Sequence, residues 1–232
     1  IFINGLPLSY IEVKQPNAIR DGKTAIQSEQ SRTAVRFENR RFRRFNNITQ
    51  LLSFSDNLPY ISGQGQQKQG SFYCSNAFSK TKFNAFKEER EEELIYSIRS
   101  LGEEEIDAVL KDVNRFALKS QPEFKTNQDP STPCNTFISS LYQKERLLFL
   151  LRYGLAYVEE RSKDGTIQLQ KHVMRYPQFF ATQAIEDAIG KGVKKGVIWH
   201  TQGSGKTALS YFNIRYLTNY FSKKKSFLSF IL

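Results

Sequence analysis

An α/β fold is what this sequence predicts, on three observations. Gly196–His200 is an apolar run, Thr201–Gly205 a glycine-bearing turn and Ala208–Tyr220 a stretch of helical period, so a strand feeds a helix through a loop. Near the other end Ser9–Lys14 alternates with a period of two, and the basic helical stretch Thr24–Phe45 follows it. Between these, helical patterns and short strand-like runs are interspersed rather than segregated. At 232 residues, 39% hydrophobic and 13% aromatic, the chain has the material for packed cores and room for one large or two small domains.

The elements follow in order. Ile1–Ile3 and Ser9–Lys14 read as strands around the hairpin signal Asn4-Gly5-Leu6-Pro7, and Gln15–Lys23 as a polar loop. Within Thr24–Phe45 the residues Arg32, Arg36, Arg40 and Arg43 recur at helical spacing on one face. Leu51–Phe54 and Ser71–Cys74 are strands joined by the Gly/Gln-rich loop Gly63–Gly70. Phe78–Phe86 is basic and aromatic, and Lys87–Glu93 opens a solvated helix. Glu103–Phe116 is a helix whose leading glutamates suit its dipole. Ser120–Pro133, with three prolines, reads as a linker. Cys134–Arg152 gives one or two amphipathic helices stopped at Gly154. Leu155–Val158 and Thr166–Leu169 form a hairpin around Lys163-Asp164-Gly165, and Tyr176–Ile189 is a helix.

Charge narrows the partners. A net charge of +11 and a pI near 9.6 favour a polyanion, nucleic acid first and a membrane surface second. No stretch is apolar for long enough to span a bilayer. Two cysteines, Cys74 and Cys134, without a C-x-x-C pair give neither a zinc site nor a disulfide framework, which fits a reducing cytoplasm. The chain starts at Ile1 without Met and stops inside Ser226–Leu232, which reads as a strand just begun, so an internal segment of a longer protein is expected.

Two stretches carry chemistry. In Gly203-Ser204-Gly205-Lys206-Thr207 the glycines let successive N–H groups turn inward as an anion nest, and the following helix adds its positive end. Lys206 would reach the β- and γ-phosphates of ATP, and the Thr207 hydroxyl would hold Mg²⁺. His200 stands where the full pattern has its first glycine. In Tyr10-Ile11-Glu12-Val13-Lys14 the alternation puts Glu12 and Lys14 on one strand face. An exposed ion pair would look the same. So would a metal-dependent nuclease, where the carboxylate binds Mg²⁺ and the lysine polarises water or the scissile phosphate. No Asp or Glu precedes Glu12, so a completing carboxylate is expected upstream of Ile1. The arginine face of Thr24–Phe45 is read as contacting the phosphate backbone, with a solvated helix side as the alternative. Phe37, Phe42 and Phe45 are read as core packing, and His172 and His200 as structural.

The run Phe2-Ile3-Asn4-Gly5-Leu6-Pro7-Leu8, followed by Ile11-Glu12-Val13-Lys14, resembles the nuclease core of the restriction (motor) subunit of type I restriction endonucleases. Further motifs of that family follow in order. They include Arg41–Phe45 with Thr49-Gln50-Leu51, Phe83-Asn84 ahead of Arg90, Glu145-Arg146-Leu147-Leu148, Arg175-Tyr176-Pro177-Gln178 and Trp199-His200-Thr201-Gln202 before Gly203–Thr207. The last is that family's form of helicase motif I and accounts for the missing glycine.

The resemblance covers essentially the whole chain. It implies an ATP-driven translocase on double-stranded DNA, fused to a Mg²⁺-dependent nuclease and acting with modification (methyltransferase) and specificity subunits. It implies Glu12 as metal ligand, Lys14 as catalytic lysine and Gln178 as an adenine-reading glutamine; a polar residue opening a helix is the plainer account of Gln178. Related nucleases carry Gln and Tyr four apart on the helix after the lysine, but Gln27 precedes Ser31 and Gln30 precedes Ala34, so neither receives a role. The expected architecture is a restriction-endonuclease-like core over 1–123, a linker and helical connector over 124–169, and the start of a RecA-like phosphate-loop motor lobe over 170–232. A DNA-binding helicase or remodelling ATPase without nuclease activity, and an inactive gene remnant, are the alternatives.

Overall fold

The computed structural model describes residues 1–16, 22–61, 69–75, 83–96, 101–161 and 164–225. The loop Gly63–Gly70, the segment Phe78–Phe86, the turn at Lys163 and the polar loop Gln15–Lys23 fall partly outside these, and the terminal strand Ser226–Leu232 wholly so. The described chain is mixed α/β with small sheets.

The Asn4-Gly5 signal makes a turn, but a smaller one than the sequence suggests. Asn4 (φ 50°) and Gly5 (φ 79°) pair β1 (Phe2–Ile3) with β2 (Leu6–Pro7), with Ile3 opposite Leu6. Pro7 offers no N–H to lengthen the ribbon. The next strand, β3 (Ser9–Val13), turns instead to β4 (Leu51–Ser55) and runs parallel to it, from Ser9 opposite Leu51 to Val13 opposite Ser55. Lys14 N–H extends the ladder to the Ser55 carbonyl at 2.8 Å. β5 (Ser71–Cys74) and β6 (Asn84–Phe86) add on antiparallel, giving the order β3-β4-β5-β6.

A parallel pair needs a crossover, and here it is two helices rather than the one expected over Thr24–Phe45. Thr24 caps α1 (Ala25–Glu38) through a capping box with Gln27. At Asn39 the backbone is extended (φ −74°, ψ 118°), and the Asn39 side chain accepts from Arg41 N–H to start α2 (Arg40–Ile48). One short polar residue thus stops one helix and caps the next.

β4 and β5 are buried on both faces, as strands between two helical layers must be. Ile26 of α1 packs with Phe54 and Phe72 on one side. On the other, Leu51, Tyr73 and Phe86 meet a larger core. That core is built from α5 (Pro133–Leu141), α6 (Lys144–Tyr153), α7 (Tyr176–Gly190), α8 (Lys206–Lys223) and the hairpin β7 (Leu155–Arg161) with β8 (Ile167–Val173). Hydroxyls tie the layers together. Tyr142 donates to Ser53 Oγ at 2.6 Å, and Tyr73 donates to the Met174 carbonyl at 2.7 Å. The proline-rich stretch Ser120–Pro133 holds the short helix α4 (Pro122–Asn127), and Asn57 bonds both Asn127 and the Cys134 amide. α3 (Glu103–Asp112) ends earlier than expected, ahead of Asn114 at φ 53°.

Two expectations are corrected. The acidic run Lys87–Glu93 is not a solvated helix start, since only Glu91–Glu93 form one 3-10 turn and Glu88 is buried. Glu88 accepts from Arg146 Nη1 at 2.6 Å, from Ser140 Oγ and from the Arg90 amide at 2.8 Å. The apolar run Gly196–His200 forms no strand. Val197 and Trp199 are 90% exposed, and the run pairs with no strand among the described residues.

The Glu88–Arg146 pair joins the β6 end of the sheet to α5 and α6. Arg146→Met is expected to destabilise by about 3–5 kcal/mol, because it strands a buried carboxylate. The double variant Glu88→Leu/Arg146→Met is expected to recover much of that loss; urea unfolding of the two variants and the wild type checks both.

Candidate functional site

The crossover brings six side chains to one place. β3 presents Tyr10 and Glu12 on one face, Lys14 follows, and α1 lies over them with Glu29, Arg32 and Arg36 at one-turn and two-turn spacing. Lys14 pairs with Glu12 Oε1. Arg32 Nη1 lies 2.8 Å from Glu12 Oε1, and Arg36 Nη2 lies 3.1 Å from Glu12 Oε2. The other nitrogen of that guanidinium, Nη1, lies 3.0 Å from Glu29 Oε1. Arg36 also sits over the Tyr10 ring, 5.8 Å from its centroid.

The electrostatics of the two carboxylates diverge. Burial pushes Glu12 up, but hydrogen bonds from Lys14 and Arg36 overcome it and hold the carboxyl below its ordinary range. Glu29 is raised, first by burial and then by the neighbouring Glu12 charge. Tyr10 is pushed up to about 12, chiefly by burial. Two carboxylates, one of them holding a buried oxygen (Glu29 Oε2) without a hydrogen-bond partner, suit a hard divalent cation such as Mg²⁺. No cluster of three or more His, Cys, Asp or Glu able to hold a metal occurs among the described residues.

The four arginines do not share one face. Arg32 and Arg36 turn inward onto Glu12 and Glu29, whereas Arg40 and Arg43 are exposed on α2, beyond the break at Asn39. That break also exposes Phe42 (50%) and Phe45 (38%), which sequence assigns to core packing; Phe45 stacks on Tyr10 at 6.2 Å. His172 pairs with Glu160 at 3.3 Å across the hairpin, and both cysteines are free and buried.

At the second stretch, Gly203 (φ 75°) and Gly205 (φ 86°) both take the left-handed conformation, and α8 starts at Lys206 directly after them. Lys206 and Thr207 are exposed, and Ser204 Oγ is buried without a hydrogen-bond partner. The loop is held from α7. Gln178, 2% exposed, donates Nε2–H to the Gly205 carbonyl at 2.9 Å and accepts the Arg175 amide at 2.9 Å. A Cβ at Gly205 would lie 2.5 Å from that nitrogen and push the Gln178 amide aside, while the left-handed φ itself favours glycine. Left-handed glycines leading into a helix N-terminus give a fold-level fit to a nucleotide's phosphates.

Beside the loop lies a cavity of about 790 Å³, bordered by Gln178, Gly205, Thr207 and Tyr211 and, on the hairpin, by Tyr157 and Lys171. Lys171 bonds Gln50, lies 5.7 Å from the Tyr157 ring centroid, and is pulled down to about 8 by burial. Sequence spacing does not single out Glu29 or Lys171. Glu29 carries a local signal in its spacing to Arg32 and Arg36; Lys171 carries none, because only the hairpin's packing buries it.

Residues 177–231 match the SWI2/SNF2 ATPase family. A protein of Methanocaldococcus jannaschii named "putative type I restriction enzyme MjaVIIP endonuclease subunit" is 43% identical over 84 residues. That match takes in 33% of this chain and 8% of the relative's length. The chain is thus a partial homologue of a restriction-enzyme subunit with an ATPase-like segment, which supports a restriction or helicase type of protein. No helix among the described residues is long and apolar enough to cross a membrane.

Gly205→Ala is expected to lose about 1–2 kcal/mol for the left-handed backbone alone, plus the displacement of Gln178. Adding Gln178→Ala is expected to cost less than the sum of the two singles, read by urea unfolding in a double-mutant cycle. For Lys171, the folded chain gives up its proton near pH 8 while the unfolded lysine keeps it to about 10.5. The unfolded state therefore binds more protons between these values, and the wild type gains stability as pH rises through that window. Lys171→Met is expected to be the more stable form at pH 7, with an advantage that shrinks toward pH 10; parallel melts at the two pH values decide it.

Proposed function

We propose that this chain belongs to the restriction subunit of a type I restriction system, in which ATP hydrolysis drives translocation along double-stranded DNA and a Mg²⁺-dependent nuclease cuts it. The observation that carries the reading is the pairing, in one chain, of a parallel strand–crossover–strand unit bearing Glu12 and Lys14 with a left-handed glycine loop opening onto Lys206. The ATPase match over 177–231 and the similarity to a restriction-enzyme subunit support it. Residues 1–123 are assigned to the nuclease core, 124–169 to a connector and 170–232 to the start of a RecA-like lobe.

At the loop, Lys206 contacts the β- and γ-phosphates of ATP, Thr207 takes the Mg²⁺, and the N–H groups of Gly203, Ser204 and Gly205 cradle the phosphates. Gln178 borders the cavity, and though its Nε2 donates to the Gly205 and Ser204 carbonyls and its Oε1 accepts from Arg175, the resemblance assigns it to the adenine edge. At the other site Glu12 is assigned to hold Mg²⁺, which when bound supplies Lewis acidity toward a phosphodiester. Lys14 orients the attacking water or the scissile phosphate. Exposed Arg40 and Arg43 are assigned to the DNA backbone, with Arg32 and Arg36 reaching it from the edge of the carboxylate site. Modification and specificity subunits are the protein partners, and the cytoplasm the compartment.

A DNA-binding ATPase without nuclease activity is the second reading. One observation favours it: Lys14, Arg32 and Arg36 already neutralise Glu12, as an ordinary ion-pair network would.

In the full-length protein Lys206→Ala is expected to abolish ATP turnover and leave DNA binding in place; unchanged ATPase would sink the loop assignment. Lys14→Ala is expected to abolish DNA cutting and spare ATPase, and retained cleavage would refute the nuclease assignment.

A further inference from the structure

Glu29 is a charged group placed where a charge is costly. Its side chain is 2% exposed, beneath α1 and against the β3 face that carries Glu12. A carboxylate kept there only to anchor α1 would have both oxygens bonded. Here Oε1 accepts from Arg36 and Thr33, whereas Oε2 is buried with no hydrogen-bond partner, its nearest cations standing 3.8 Å (Lys14 Nζ) and 3.9 Å (Arg32 Nη1) away. An unsatisfied buried acceptor of this kind calls for a missing ion or water.

The geometry around it indicates which. Adjacent nitrogens of the single Arg36 guanidinium reach both carboxylates, Nη2 to Glu12 at 3.1 Å and Nη1 to Glu29 at 3.0 Å. The two acids therefore flank one side-chain cation, which takes Glu29 through Oε1 and leaves the partnerless Oε2 beside Lys14 and Arg32. Mg²⁺ and Mn²⁺ are bound in this way, by one or two carboxylates with waters and a substrate phosphate completing the shell. We infer that Glu29 is a second carboxylate ligand, with Glu12, for a divalent cation of the Mg²⁺/Mn²⁺ class, and that Arg36 occupies the ion's place until the ion binds. The inference rests on the nuclease reading of Glu12 and Lys14. It adds a carboxylate from the helix after the lysine, besides the one expected upstream of Ile1.

The test is Mn²⁺ binding to the full-length protein without nucleotide, followed by the loss of the free-ion paramagnetic resonance signal. Glu12→Gln and Glu29→Gln are each expected to weaken binding at least tenfold. Arg36→Met is expected to tighten it severalfold, since it removes the competing cation. If Glu29→Gln keeps wild-type affinity while Glu12→Gln loses it, the role of Glu29 is overturned and the nuclease reading stands. If neither variant changes Mn²⁺ binding, both fall. Should Glu29→Gln fail to fold, Arg36→Met decides, because an affinity for Mn²⁺ no tighter than wild type overturns the inference.

Discussion

The parallel pairing of β3 with β4 is the constraint on which the N-terminal half depends. Parallel neighbours cannot be joined by a tight turn, so the chain between Val13 and Leu51 must cross the sheet, and it does so as α1 and α2. The crossing lays α1 over the face bearing Tyr10 and Glu12, and it buries Ile26 against Phe54 and Phe72. Those contacts fix the rotation of α1, and the rotation delivers Glu29, Arg32 and Arg36 to Glu12. Hydrophobic packing on one stripe of the helix thus sets the electrostatics on the next, and the same geometry pushes Glu12 and Glu29 in opposite directions.

At the C-terminal end the glycine loop keeps its shape without a strand behind it. The tie is polar: Gln178 at the start of α7 grips the Gly205 carbonyl, and α7 is packed into the main core through Phe179 and Phe180. The loop inherits its position from the core by way of one buried amide. Gly205 is favoured by its backbone conformation, and a Cβ there would displace that amide. The cavity beside it is walled in part by the β7–β8 hairpin, so the glycine loop and the hairpin share a surface.

Much of this is legible in the residues. The loop–helix step at Gly205, the alternation that puts Glu12 and Lys14 on one face, the strands β4 and β5, the helices α7 and α8 and a hairpin around Asp164-Gly165, longer in both strands than its local pattern suggests, follow from the residues. What local pattern cannot carry is partner choice. Gly196–His200 has the composition of a buried strand, but a strand exists only when paired, and this run pairs with none of the described strands. Likewise Asn39 sits inside a helical arginine period, yet its side chain caps a second helix, which separates Arg40 and Arg43 from Arg32 and Arg36. Glu29 is hidden for the complementary reason. A glutamate in a basic helix looks solvated until the tertiary contact turns its face inward.

The central claim is that one chain joins a phosphodiester-cutting centre to an ATP-driven one. The most direct measurement incubates the full-length protein, with its partner subunits, ATP and Mg²⁺, with covalently closed circular DNA, and follows ATP hydrolysis and DNA topology together. The expected result is ATP consumption accompanied by broken circles. ATP consumption with every circle left intact would contradict the claim and leave a DNA-dependent ATPase whose Glu12 and Lys14 are an ordinary ion pair.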